Sequence, residues 1–126
     1  MTTQKFFDKK IKNLKRTFVE KNNMEEAIKI IKEEIENRGL KVLKIILFGS
    51  RAKGDFKEDS DWDFFVVIDK KLNFNEKWDI IDEIKIKLAR LKFPNDIIIK
   101  SEDEVMENKD DVGRITYYVL KEGIKV

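Results

Sequence analysis

The sequence predicts a small α/β domain, in which helices flank a mixed β-sheet of three to five strands. Two stretches of helical periodicity precede any strand, three short runs rich in Ile, Val and Phe follow, and one long helical pattern separates the second run from the third. A chain of 126 residues suits one compact domain. We therefore expect a single domain over residues 1–126, with N-terminal helices in 1–38, the catalytic core in 41–100, and C-terminal helices with an edge strand in 101–126.

The N-terminal third predicts two helices. From Thr3 to Val19 apolar residues recur at helical spacing with lysines between them, and the basic residues are spread over more than one face, which favours a solvated surface. For the second helix, Asn22 or Asn23 can act as the N-cap and Gly39 as the stop. The apolar stripe of this second helix consists of Met24, Ala27, Ile28, Ile31 and Ile35.

The middle of the chain predicts two strands and the loop between them. Val42 to Phe48 is nearly continuous apolar sequence, which is typical of a strand buried on both faces. Asp61 to Ile68 is the second strand-like run, and Asp69 to Asn75 reads as a turn. The polar loop between the strands follows a Gly-Ser pair and is the natural place for a functional site.

The last part of the chain predicts a long helix, a third strand and shorter helices. The long helix has an apolar stripe and ends before Phe93-Pro94-Asn95, and the strand runs from Asp96 to Lys100. Ser101 with Glu104 resembles a capping box. Gly123 should end the last helix, and residues 124–126 can add an edge strand. The stripe of the long helix consists of Trp78, Ile81, Ile84, Leu88 and Leu91.

The amino-acid composition limits which catalytic and metal-binding groups the chain can use. Histidine and cysteine are absent, which excludes a thiolate zinc site and removes the commonest general base. The formal net charge is only +2, so we do not expect direct nucleic-acid binding through a strong overall field. The densely charged start of the chain does not resemble a signal peptide, and no apolar run approaches a membrane span, so we expect a cytoplasmic protein without a membrane partner.

Three aspartates are the candidate metal ligands. Asp61 and Asp63 flank one residue of an extended segment, so both carboxylates face the same way, roughly 7 Å apart before rotamer adjustment. With Asp96 from another strand, they could hold one or two Mg²⁺ ions. The spacing alone is weak, because the chain has 12 aspartates and Asp59-x-Asp61 repeats the pattern.

The Gly49-Ser50 pair supplies the context for the aspartates. Glycine allows close approach of the backbone, and a helix beginning at Ser50 would direct N–H groups toward phosphate. Arg51 and Lys53 could screen a triphosphate, although solvated surface positions are the alternative for both. Ser60 comes directly before Asp61 and joins the candidate nucleotide-binding residues Gly49, Ser50, Arg51 and Lys53.

The segment GSRAKGDFKEDSDWDFFVVID resembles the signature of the DNA polymerase beta nucleotidyltransferase superfamily, and most closely that of its minimal nucleotidyltransferases. By this resemblance the fold is polymerase-beta-like and Gly49 and Ser50 hold the triphosphate. Asp61, Asp63 and Asp96 are then metal ligands and catalytic residues, with Mg²⁺ as cofactor and ATP or another NTP as substrate. The departures are aromatic Trp62 and Phe64 in place of aliphatic residues, and Lys53 where arginine is common.

The resemblance also implies a partner. Minimal nucleotidyltransferases pair with HEPN-domain proteins in toxin-antitoxin modules, where they can act as the antitoxin by transferring AMP to the partner. A subunit that neutralises a HEPN-type partner by binding alone, with weak catalysis, is one alternative. An antibiotic-type enzyme with a small-molecule acceptor is another, and a polymerase or tRNA-end enzyme would need further nucleic-acid-binding domains.

Overall fold

The first described helix, α1, covers residues 22–36. The computed structural model describes residues 22–126, so the predicted helix from Thr3 to Val19 lies outside the described residues. Asn22 and Asn23 are already helical, and the prediction that one of them is the N-cap was wrong. Gly39 has a φ of 81° and lies in the turn after α1, as a stop residue should. Three residues of the predicted stripe face the core and are fully buried: Ala27, Ile31 and Ile35.

In the described part of the chain, four strands form one mixed sheet in the order β3-β2-β1-β4. The strands are β1 (Val42–Phe48), β2 (Trp62–Ile68), β3 (Asn95–Ser101) and β4 (Ile124–Lys125). Strand β1 pairs antiparallel with β2 and β4, whereas β2 and β3 are parallel. The remaining described helices are α2 (Ser50–Lys53), α3 (Phe74–Arg90), α4 (Glu102–Asn108) and α5 (Ile115–Glu122). The predicted fold class is confirmed.

Both faces of the sheet are covered by helices. On one face α1 and α3 pack against alternate strand residues such as Phe64 and Val66, and on the other face Val119 of α5 packs against Phe65 and Val67. Six of the seven residues of β2 are buried, because this strand has neighbours on both sides. The half-buried exception is Asp63.

Burial of β1 is less complete than its apolar sequence predicts. Residues Ile45 to Leu47 are buried, but Leu43 and Lys44 are exposed. Strand β4 pairs only with Ile46 and Leu47, so among residues 22–126 no strand lies beside the beginning of β1 on that side. The prediction of a strand buried on both faces therefore holds only for its second half.

The other predicted elements agree within one residue at the strand ends. Ser101 accepts a hydrogen bond from the backbone of Glu104, whose side chain accepts one in return, so the capping box is confirmed. Gly123 follows α5, and the edge strand β4 is present. In α3 the inner stripe residues are buried, but Trp78 and Leu91 at its ends are exposed. Within residues 22–126 no helix has the length and apolar character required to cross a bilayer.

Candidate functional site

Gly49 connects β1 to α2 in a conformation that needs glycine. Its φ of 73° and ψ of −157° belong to a region that residues with a Cβ essentially do not occupy. A Cβ at this position would also overlap the Oδ2 atom of Asp63. The turn therefore allows the carboxylate of Asp63 to lie directly against the backbone of Gly49.

Asp63 and Asp96 are neighbours across two parallel strands. They are register partners in the pairing of β2 with β3, so both side chains emerge at the same end of adjacent strands. Burial raises the pKa of Asp63, and the negative charges of Asp96 and Asp61 raise it further. The structure thus brings the three predicted carboxylates into one electrostatic environment, with Asp63 the least solvated of them.

The donor set has the chemistry that a hard divalent cation prefers. Carboxylate oxygens are the usual protein ligands of Mg²⁺, and the absence of a Cβ at Gly49 lets the Asp63 carboxylate lie against the backbone. Asp61 is exposed and lies just before β2. In the described part of the chain, no three acidic side chains lie close enough together to hold one ion. The three aspartates therefore supply the type of ligand that a divalent cation needs. Their carboxylates would have to rotate toward one another to bind the same ion.

Arg51 holds the loop that carries Asp61. Its side chain is buried, with 8% exposure, and donates hydrogen bonds to the carbonyl oxygens of Ser60 at 3.1 and 3.2 Å and of Glu58 at 3.0 Å. The guanidinium lies over the rings of Phe56 and Trp62, with its carbon 4.3 and 4.5 Å from their centroids. Arg51 is therefore not a solvated surface residue, and its contacts order the loop before β2. Nucleotide binding by Arg51 stays a prediction.

The aromatic residues of β2 have local partners. Trp62 stacks on Phe93 with ring centroids 5.1 Å apart, and Phe64 stacks on the same ring at 6.2 Å. Trp62 therefore contacts both Phe93 and the guanidinium of Arg51. The aromatic residues that replace the aliphatic residues of the family pattern thus belong to one cluster of contacting rings next to the site.

The remaining predicted residues lie around the turn. Helix α2 begins at Ser50 as expected but has only one turn, so its dipole is much smaller than that of a full helix. The hydroxyl of Ser60 accepts a hydrogen bond from the backbone of Lys57 at 2.9 Å, which shapes the loop. Lys53 is exposed and its Nζ lies 3.3 Å from Oε2 of Glu122 in α5. Binding of nucleotide by these residues stays a prediction.

Two features of the site were missed by the sequence reasoning. Lys85 of α3 places its Nζ 3.8 Å from Oδ1 of Asp96, which supplies a positive charge beside the third carboxylate. A cleft of about 220 Å³ lies between α2 and α5 and is lined in part by Gly49, Lys53 and Tyr118. Neither belongs to a local motif, because both depend on contacts between elements far apart in sequence.

A mixed sheet with a Gly-Ser turn beside paired carboxylates is the arrangement of a nucleotidyltransferase domain. Residues 25–126 match the family described as "Polymerase beta, Nucleotidyltransferase", and the chain belongs to this family. Comparison with curated proteins finds no match. The predicted superfamily is confirmed, and family membership supports a general transferase activity.

Proposed function

We propose that the protein is a Mg²⁺-dependent nucleotidyltransferase that transfers AMP from ATP to a protein partner. The observation that carries this proposal is the pairing of Asp63 and Asp96 at the ends of adjacent parallel strands, directly beside the Gly49 turn. Burial and the charges of the two neighbouring carboxylates raise the pKa of Asp63, and a bound cation would offset this cost of ionising it. Family membership supports the reaction class.

The residues have distinct roles in this proposal. Asp61 and Asp63 hold the cation, which when bound neutralises phosphate charge. The backbone at Gly49 and Ser50 lies against the triphosphate. Asp96 accepts the proton of the acceptor hydroxyl as the hydroxyl oxygen bonds to the α-phosphorus, and the bond from that phosphorus to the bridging oxygen breaks to release pyrophosphate. Arg51 acts indirectly, by keeping the loop of Asp61 in place.

For the acceptor, we propose a HEPN-type partner that the protein neutralises as the antitoxin of a cytoplasmic toxin-antitoxin module. The resemblance of the Gly49-to-Val67 signature to minimal nucleotidyltransferases supports this choice. The small net charge of +2 supports a protein acceptor over a growing nucleic-acid strand, because nucleic-acid affinity depends mainly on cationic contacts with phosphates.

The test is nucleotide transfer to the product of the neighbouring gene. The purified protein is incubated with that product, Mg²⁺ and each α-labelled NTP in turn, and intact-mass spectrometry is applied to the acceptor. We expect a mass increase of one AMP with ATP, which EDTA abolishes.

The matched pair of variants is Asp63→Asn and Asp79→Asn. Both remove one carboxylate, but Asp79 is exposed on α3 and has no part in the proposed site. Transfer should be lost in the first variant and kept in the second. Full activity of Asp63→Asn would refute the site, and a stable complex without any mass change would refute transfer in favour of neutralisation by binding.

A further inference from the structure

We propose that the cleft between α2 and α5 receives the base of the nucleotide, with Tyr118 as the surface on which the base stacks. The inference rests on the proposed nucleotidyltransferase function and adds a base subsite to it. The cleft has a volume of about 220 Å³, below the roughly 300–1,000 Å³ typical of sites that enclose a drug-sized ligand. It therefore suits one part of a nucleotide rather than the whole molecule.

The cleft is continuous with the turn at which the phosphates are placed. Gly49 lines the cleft and also lies against the carboxylate of Asp63. A nucleotide with its phosphates near the carboxylates can therefore reach the cleft along a single surface. Phe48, which precedes the turn, and Val119 of α5 provide apolar walls.

Tyr118 has the exposure and the support that a stacking residue needs. Its side chain is 51% exposed although it lines the cleft, and Ile115, one turn earlier on α5, is also exposed. Tyr117 contacts the Tyr118 ring edge-on, with centroids 5.2 Å apart. Stacking of a base on an aromatic side chain contributes about 1–3 kcal/mol in single-stranded nucleic-acid complexes. An exposed ring beside a phosphate-binding turn offers the same interaction.

Polar side chains at the rim of the cleft can form hydrogen bonds with the edge of the base. Lys53 and Glu122 face each other at 3.3 Å, and their side chains are 55% and 48% exposed. Exposed pairs of this kind are weak, so a ligand can replace the contact. Glu122 can then accept from an exocyclic amine while Lys53 donates to a neighbouring ring nitrogen, which is the adjacent pair of groups that adenine presents. The rim favours adenine over uracil.

The position of α5 beside the turn is fixed by packing. A Cβ at Gly123 would overlap the side chain of Ile46 in β1 and crowd the carbonyl oxygen of Val119. Because Val119 itself is buried against the sheet, the end of α5 lies in direct contact with β1. The cleft is thus a preformed feature rather than a gap between loosely placed elements.

The test compares two ligands that differ in the presence of a base. Isothermal titration with Mg²⁺ measures the affinities of ATP and of inorganic tripolyphosphate for the wild type, Tyr118→Ala and Tyr118→Phe, with Trp78→Ala as the control for loss of an exposed aromatic ring on α3. We expect Tyr118→Ala to weaken the binding of ATP by about tenfold, in line with the loss of one stacking contact. Tripolyphosphate binding should be unchanged, and Tyr118→Phe and Trp78→Ala should bind ATP as the wild type does.

A second variant tests the rim. Glu122→Gln should reduce the preference for ATP over UTP without altering tripolyphosphate binding. The base subsite is refuted if Tyr118→Ala keeps the wild-type ATP affinity, or if it weakens the binding of ATP and of tripolyphosphate equally. A wild-type protein that binds neither ligand would refute the proposed function itself and the base subsite with it, an outcome distinct from the failure of Tyr118 alone.

Discussion

Replacement of Gly49 by alanine perturbs both the backbone and the site. The φ and ψ of this residue lie in a region whose occupation by a residue with a Cβ costs about 1–3 kcal/mol. The new methyl group also overlaps Oδ2 of Asp63, and turning that side chain out of its rotamer costs a further 0.5–1.5 kcal/mol, approximately. Together these effects predict a loss of about 2–4 kcal/mol in the free energy of unfolding.

The matched control is Gly54→Ala. Gly54 also has a positive φ, of 84°, but a Cβ there meets no atom within 4 Å. We expect this variant to lose only the left-handed backbone term, about 1–2 kcal/mol. Urea unfolding followed by circular dichroism gives the two free energies under identical conditions.

The two glycine variants should also differ in their response to Mg²⁺. Under the proposed function Mg²⁺ should raise the melting temperature of the wild type. Displacement of Asp63 should remove this rise, whereas Gly54→Ala should keep it. If Gly49→Ala costs no more than Gly54→Ala and retains the Mg²⁺ effect, the close approach of Gly49 to Asp63 has no energetic consequence and the reasoning is wrong.

Three further substitutions test the charges of the domain. The raised pKa of Asp63 means that its ionised form destabilises the fold as pH rises above the ordinary value of 3.8, so Asp63→Asn without Mg²⁺ should melt at pH 7 at the wild-type temperature or higher, measured by thermal shift. The hydrogen bond from Lys87, 2.6 Å long, lowers the pKa of Glu34 despite its burial; Glu34→Gln should therefore lower the urea midpoint at pH 7, and the difference should close as pH falls below 4.5. Arg51→Lys keeps the charge but loses the planar fork of donors, so we expect a loss of about 2–3 kcal/mol in the free energy of unfolding. Limited proteolysis of the loop after α2 should also be faster. A loop as resistant as in the wild type would contradict the assigned role.

The strands could be predicted from the sequence because their signals are local. The apolar runs that end at Phe48 and Ile68 gave both strands, and the Ser101-Glu104 spacing gave the capping box. The juxtaposition of Asp63 and Asp96 depends on the parallel register of β2 and β3, which periodicity does not determine. Asp96 was chosen because it opens another predicted strand, and the family resemblance supported that choice.

The role of Arg51 could not be predicted from its position beside the Gly-Ser pair. Its guanidinium is buried because the fold brings the rings of both Phe56 and Trp62 into contact with it. These aromatic residues were visible in the sequence, but nothing local indicated that both rings would meet one cation. The contacts of Lys85 with Asp96 and of Lys53 with Glu122 are likewise products of tertiary packing.

The register of β2 on β3 makes the hydrophobic core a determinant of the chemistry. A shift of one residue would place Asn95 or Ile97 opposite Asp63 and turn Asp96 to the other face of the sheet. The buried apolar side chains along both strands oppose such a shift, because it would turn the side chains of the shifted strand to the opposite face of the sheet. Conservative substitutions deep in the sheet, far from any ligand, should consequently change the geometry of the carboxylates before they unfold the protein, and kinetics would detect such changes earlier than stability measurements.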